Sequence, residues 1–243
     1  MALLRAAADL LFPPACQVCR APGPFPLCAA CLAAMPLIRP PWCAGCGQPL
    51  DAAGGGVGCR WCRRRPSAFV RVRSSGIYAG VLREAIHALK FQGCRAMARP
   101  LGVLMARAAA DDPFAARPDV VVPVPLHPTR LRARGFNQSA LLASVVAREL
   151  GGPATLEEAL VRTDLAISQV RLAVDERRRN VRDAFAARIG LEGRRIVLVD
   201  DVVATGATAA ACVKALRAAG AARVLVLTAA RAVLGRPVQG RPG

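Results

Sequence analysis

Eight cysteines in the first 62 residues, spaced as four CxxC pairs, restrict what the front of this chain can fold into. The pairs are Cys16/Cys19, Cys28/Cys31, Cys43/Cys46 and Cys59/Cys62. A CxxC turn aims two thiolates at one point, and two such turns complete a tetrahedral zinc site. Eight ligands therefore make two structural zinc sites with none left over. The surrounding segment is rich in Pro and Gly, shows no helical period, and is too small to hold itself together by burial. Metal supplies the missing stability. A disulfide framework needs an oxidising compartment. A thioredoxin-like motif uses one CxxC at a strand-to-helix junction, not four in a ribbon. Sequential sharing, the first two pairs and then the last two, needs loops of eight and twelve residues, both workable. A cross-braced arrangement is the alternative. Cys94 and Cys212 stand apart and read as core residues. Trp42 and Trp61 flank the second site, either as cover for the metal or as a stacking platform for bases.

The 243 residues suit one large domain or two small ones. The run Arg63-Arg64-Arg65-Pro66 marks a boundary between a ribbon, 13–66, and a larger unit, 67–235. Apolar content of 54% excludes disorder by composition, and 4% aromatic content leaves a core of Ala, Val and Leu. Lys+Arg outnumber Asp+Glu by 34 to 16, but only two of the 34, Lys90 and Lys214, are lysines. An arginine bias of this kind can arise from genome composition as well as from function, so the formal charge of +18 does not by itself assign a nucleic-acid partner.

No membrane insertion is expected. The longest charge-free stretch, 21–38, holds Pro22, Pro24, Pro26 and Pro36, which remove backbone donors that a bilayer cannot replace. The opening MALLRAAADLLFPPAC has Asp9 inside its apolar run, which makes it a poor secretory signal. It reads as a short amphipathic helix stopped by Pro13-Pro14, and the expected location is the cytoplasm.

Beyond the ribbon, apolar runs and helical stripes alternate. Strands are expected within 69–78 and over 119–124, 195–199 and 223–228. Helices are expected over 81–91, 101–110, 136–150 and 207–219. Such alternation implies an α/β domain with a parallel sheet.

The sharpest chemistry lies in Ile196-Val197-Leu198-Val199-Asp200-Asp201-Val202-Val203-Ala204-Thr205-Gly206-Ala207-Thr208. A buried strand is expected to end in two adjacent carboxylates, followed by a small-residue loop and a helix start. In an open α/β sheet, ligands bind at the carboxyl ends of strands, and a helix N-terminus suits a phosphate. One segment can thus hold a phosphate and accept from hydroxyls, as a phosphorylated sugar requires. No G-x-x-x-x-G-K-[ST] and no G-x-G-x-x-G after a strand occurs, which argues against a P-loop NTPase and the usual dinucleotide site.

Residues 196–208 resemble the binding motif of type I phosphoribosyltransferases. The remaining signatures follow in order: the four CxxC pairs, Ala88-Leu89-Lys90-Phe91, Val122-Pro123-Val124-Pro125-Leu126, Arg134-Gly135-Phe136-Asn137-Gln138, then Gln169 with Arg177, Asn180 and Phe185. Together they resemble the ComF family, which joins a double zinc ribbon to a phosphoribosyltransferase domain and is associated with DNA uptake in natural transformation. The resemblance implies a type I phosphoribosyltransferase-like parallel sheet flanked by helices, with a small N-terminal zinc ribbon. Asp200 and Asp201 would bind the ribose hydroxyls of phosphoribosyl pyrophosphate (PRPP). Ala204, Thr205, Gly206, Ala207 and Thr208 would cradle its 5′-phosphate. Pro125, Leu126 and His127 sit where the pyrophosphate loop belongs, Lys90 belongs to a family motif facing the substrate, and Arg130, Arg132 and Arg134 either reach pyrophosphate or coat the surface. Mg²⁺ would accompany PRPP. A segment between Leu156 and Phe185, with Arg162, Thr163, Gln169, Arg177 and Asn180 at family positions, would form a hood over the substrate.

No acceptor site is readable. Three readings follow: a Mg²⁺-dependent phosphoribosyltransferase, a single-stranded-DNA-binding module, or an adaptor that docks a competence helicase or channel and keeps a vestigial PRPP site.

Overall fold

The structure, a computed structural model, describes residues 13–50, 59, 62, 71–110, 112, 117–163 and 184–233. The expected N-terminal helix, Trp61, the 63–66 boundary, Gln169, Arg177, Asn180 and the end of the tail lie outside the described residues.

In chain order the elements are α1 (Ala29–Ala33), β1 (Val72–Ile77), α2 (Gly80–Phe91), a 3-10 turn (Arg95–Met97) leading into α3 (Ala98–Ala110), β2 (Val120–Pro123), α4 (Pro128–Arg134), α5 (Gln138–Leu150), β3 (Thr155–Leu156), β4 (Leu160–Arg162), β5 (Phe185–Ala187), β6 (Arg195–Val203), α6 (Ala207–Ala218) and β7 (Arg223–Arg231). Five strands form one parallel sheet in the order β1-β7-β6-β2-β3, while β4 and β5 pair antiparallel beside it.

Side chains alternate across the sheet. Val121, Val197, Val199, Leu225 and Leu227 face a core built with α2, α3 and α5. Val120, Val122, Ile196, Leu198, Val224 and Val226 face Cys212, Val213 and Leu216 of α6. Both faces are covered, which is why these strands read as unbroken apolar runs. Helix α5, between β2 and β3, and helix α6, between β6 and β7, cover opposite faces. The chain therefore diverges between these neighbouring strands and leaves a crevice at their carboxyl ends.

Gly102 allows α3 to approach α5 closely, since a Cβ there would stand 2.6 Å from the Val145 side chain. At the opposite end of the sheet from the crevice, Asp119 accepts from the Arg195 backbone N–H at 2.8 Å and from its guanidinium at 2.8 and 3.1 Å. These bonds draw the Asp119 carboxyl down to about 2.

Three expectations need correction. Strand β6 does not stop at the acid pair. Val202 and Val203 continue it, because β7 also runs past Thr228 and supplies Ala230 and Arg231 as their partners. The ribbon is not free of helix: Cys28 Sγ accepts from Cys31 N at 3.4 Å and caps the single turn α1. The stretch after Leu156 is not wholly irregular, since β4 and β5 join its two ends.

The ribbon is docked on the sheet. Ile77 N donates to Pro36 O at 2.8 Å, Ile38 N to Ser75 O at 2.9 Å, and Val72 N to Gly45 O at 2.7 Å. Met35 enters the core under α2 and α3, with Val18 and Leu27 packed against it. Gly47 is held at φ +70° with Val72 O at 2.6 Å from where a Cβ would stand. The Arg73 guanidinium lies 3.5 Å from the centre of the Trp42 ring. No helix among the described residues is long and apolar enough to cross a membrane.

Candidate functional site

The cysteines gather as two groups of four. Cys16, Cys19, Cys28 and Cys31 bring their sulfurs within 4.8 Å of one another, and so do Cys43, Cys46, Cys59 and Cys62. The sharing is sequential, not cross-braced. A zinc ion with Zn–S bonds of about 2.3 Å places its four sulfurs about 3.8 Å apart. The separations fit: 3.7 Å for Cys19–Cys28, 3.8 Å for Cys43–Cys62 and 3.5 Å for Cys46–Cys59. They are far beyond a disulfide bond of about 2.05 Å, and all ten cysteines are free thiols.

The electrostatics point the same way. Burial alone would raise the Cys16 thiol, but the backbone N–H groups of Cys19, Cys28 and Val18 bring it down to about 6. Burial and the neighbouring thiols push Cys31 up to about 12. In the second group Cys43, buried but held by the N–H groups of Cys46, Cys59 and Gly45, falls to about 7, while burial lifts Cys46 to about 11. Four thiolates this close repel one another unless a dication stands among them. Of the two lone cysteines, Cys212 is buried and Cys94 half-buried.

The crevice between β2 and β6 holds a cavity of about 760 Å³, within the range of ligand pockets. Lys90, Pro125, Leu126, His127, Arg134, Asp200, Asp201 and Thr208 all line it. A second hollow of about 140 Å³ is lined by Ala204, Thr205, Gly206, Ala207 and Thr208, with Thr228 beneath. Asp200 and Thr208 border both.

The two acids are not equivalent. Asp201 is 4% exposed. Its Oδ1 pairs with Lys90 Nζ at 2.8 Å, and its buried Oδ2 has no partner among the described residues. Asp200 Oδ1 accepts from Ser139 Oγ at 3.0 Å and from the Asp201 backbone N–H at 2.9 Å. Burial, with the Asp201 charge, pushes the Asp200 carboxyl up to about 7 against the pull of these donors and of Lys90.

Residues 204–208 form the turn between β6 and α6. Gly206 sits at φ +79°, a left-handed conformation that glycine adopts without strain. Among the described residues no side chain caps α6. The nearest substitute is a 3.4 Å bond from Ala207 N to Thr205 Oγ1. The first-turn N–H groups thus remain available to a ligand at the positive end of the helix.

The other wall is built around α4. His127 is its N-cap: Nδ1 accepts from Thr129 N at 3.2 Å. Arg130 and Arg134, one helical turn apart, line the cavity, whereas Arg132 does not. Arg134 donates to Gln138 Oε1 and stands over the Phe91 ring, with 5.3 Å to its centre. Arg162 lines the far side, stands over Phe185, and is drawn below its ordinary range by burial and the Arg130 charge.

Ser139 and the role of Asn137 do not follow from motif spacing. Asn137 caps α5 by accepting from Ser139 N at 3.0 Å, and its Nδ2 donates to Val124 O at 3.0 Å. It thereby fixes the helix start to the loop after β2. An Asn directly before a helical stripe is an N-cap signal that was open to reading. The reach of Ser139 to Asp200 was not, because 61 residues separate them.

The chain matches the double zinc ribbon domain over residues 7–64 and the phosphoribosyl transferase domain over residues 137–237. It is 35% identical over 226 residues to the DNA utilization protein YhgH of Escherichia coli (strain K12), covering 89% of this chain and 96% of that protein. The chain belongs to the ComF family.

Other ComF relatives agree along most of their length. Competence protein F of Haemophilus influenzae is 31% identical over 198 residues, covering 79% of this chain and 85% of that protein. Competence protein ComFC of Bacillus subtilis is 29% identical over 192 residues, covering 75% and 74%. In this ComF chain the ribbon carries two Cys₄ sites fit for zinc, and the parallel sheet carries the crevice.

Proposed function

We propose that the crevice binds PRPP and that the chain is a phosphoribosyltransferase acting in DNA uptake. One observation carries the reading: Asp200 and Thr208 border both hollows, so the acid pair and the phosphate loop open into one continuous cleft. Residues 204–208 would hold the 5′-phosphate with the uncapped N–H groups of α6. Asp200 and Asp201 would accept from the ribose hydroxyls. The loop 124–127 with Arg130 would face the pyrophosphate. The relatives' names, for DNA utilization and competence, support the biological setting.

Breaking the bond from the sugar's C1 to pyrophosphate develops positive charge on the ring. The carboxylates of Asp200 and Asp201, fixed by Ser139 and Lys90, would stand ready to oppose that charge without reorganising. Mg²⁺ takes hard oxygen ligands, and the Oδ2 of buried Asp201, without a partner among the described residues, fits such a role. Asp200 and Asp201 would hold the ion, whose charge would help to neutralise the departing pyrophosphate. The reading places the chain in the cytoplasm, where thiols stay reduced and available to metal.

Calorimetry with PRPP and Mg²⁺ tests this. Binding is expected for the wild type and lost in Asp200→Asn/Asp201→Asn. Equal heats in both would remove the reading.

A second reading is favoured by the cleft mouth, where the Phe91 ring is 64% exposed under Arg134. Stacking beside guanidinium groups suits single-stranded DNA, presented by a competence helicase, with the PRPP site non-catalytic. Gel shifts that ignore salt would exclude it, since phosphate contacts weaken steeply with ionic strength.

A further inference from the structure

Arg231 closes β7 and is 4% exposed. Among the described residues no carboxylate pairs with it, and its Nε is buried without a partner. Its Nη1 instead donates to Cys46 O at 2.7 Å, inside the second cysteine cluster. A guanidinium buried without a counter-charge is strongly unfavourable. A dication held by four thiolates carries a net double negative charge. The second cluster, once loaded, is therefore the counter-charge that the Arg231 position lacks.

The same residue lies one step from the phosphate loop. Arg231 pairs with Val203 of β6 in the sheet register. Ala232 N donates to Val203 O at 2.9 Å, and Val203 is followed directly by residues 204–208. On the other side, Tyr78 N donates to Arg231 O at 2.8 Å.

We propose that Arg231 is a positioning residue that couples metal occupancy of the Cys43/Cys46/Cys59/Cys62 cluster to sugar-phosphate binding by residues 204–208. The linkage half of this proposal rests on the sugar-phosphate reading above. Loss of the ion leaves the guanidinium uncompensated, so its side chain must leave the interior and the end of β7 must move. Val203, and with it the base of the loop, is bonded to that end. Linkage is reciprocal: a ligand that fixes the loop must also retain the metal. The first cluster has no such contact with β7 among the described residues.

The test uses the full, zinc-loaded chain. A chromogenic chelator reads metal release, and Cys31→Ser, which removes a ligand from the first cluster, identifies the second-cluster phase. Calorimetry with ribose 5-phosphate comes first. No binding there overturns the sugar-phosphate reading and the linkage with it, while the counter-charge role is decided separately by Arg231→Met. Without ligand, Arg231→Met should release second-cluster metal on the order of tenfold faster than wild type, with Arg231→Lys in between. Equal rates overturn the counter-charge role. Saturating ribose 5-phosphate should slow second-cluster release from the wild type on the order of fivefold, and Arg231→Met should lose that protection. An unchanged wild-type rate overturns the coupling. If Arg231→Met does not fold, Arg231→Lys and the wild-type ligand comparison decide the outcome.

Discussion

Ser139 Oγ donates a 3.0 Å hydrogen bond to Asp200 Oδ1, tying the first turn of α5 to the acid on β6. The bond favours the charged carboxylate and orients it. Ser139→Ala should therefore raise the Asp200 carboxyl further and weaken ribose 5-phosphate binding near neutral pH. A hydrogen bond to a charged group contributes about 1.5–3 kcal/mol, which corresponds to a loss of roughly tenfold or more. Calorimetry at pH 7 and pH 8.5 checks this, and the defect should shrink at the higher pH. A variant with wild-type affinity at both would show that Ser139 does not govern Asp200.

The raised carboxyl of Asp200 also sets a stability profile. Its folded value, about 7, lies above the ordinary 3.8. The folded state therefore holds the proton more tightly than the unfolded state, and stability falls as pH rises from about 4 to about 7. Asp200→Asn keeps the shape and removes the charge. It should raise the melting temperature at pH 8 and leave it unchanged near pH 3.5. An equal effect at both pH values would show that burial of this charge is not the cause.

Metal content follows from the sulfur geometry. The purified chain should hold about two zinc ions. Among the described residues the second cluster's own core is Cys43, Cys46 and Cys59, with Leu50 and Cys62 beside them, so stripping the metal should lower the melting temperature and release the ribbon to proteolysis. A chain with one ion or none, or with an unchanged melt after chelation, would contradict the fit.

Packing between α3 and α5 offers an independent check of the fold. Gly102→Ala places a methyl group 2.6 Å from the Val145 side chain. Overpacking of this kind destabilises by about 1–3 kcal/mol. Val145→Ala in the same chain should recover part of that loss in denaturant titration. Strict additivity of the two substitutions would mean that these residues do not touch.

What could be read in advance depended on range. The CxxC pairs declare their chemistry within four residues, and the loops between them allowed sequential sharing, which the sulfur positions then selected. The apolar runs of β2, β6 and β7 were legible because both faces of the sheet are buried. The extension of β6 through Val203 was not, because it depends on a partner strand more than 20 residues away. Lys90 was read as facing substrate, and it does line the cleft, but its ammonium is engaged by Asp201, on a distant strand. Helix α4 carried local signals, Pro128 at its start and Gly135 at φ +76° just past its end, yet its seven residues are too few to show a periodic stripe. The strands β3, β4 and β5, of two or three residues, carry no periodicity at all.

Pro36, Ile38 and Gly45 occupy the outer side of β1, the flank that β7 does not reach. An uncovered flank of that kind is a template for strand addition by another molecule. Severing the chain after the ribbon would thus do more than delete two metal centres. The remaining piece would offer bare backbone donors and acceptors to its own copies, and light scattering would register it as self-associating. The ribbon acts as a guard on solubility, and the two halves of the polypeptide cannot be parted without consequence for the larger one.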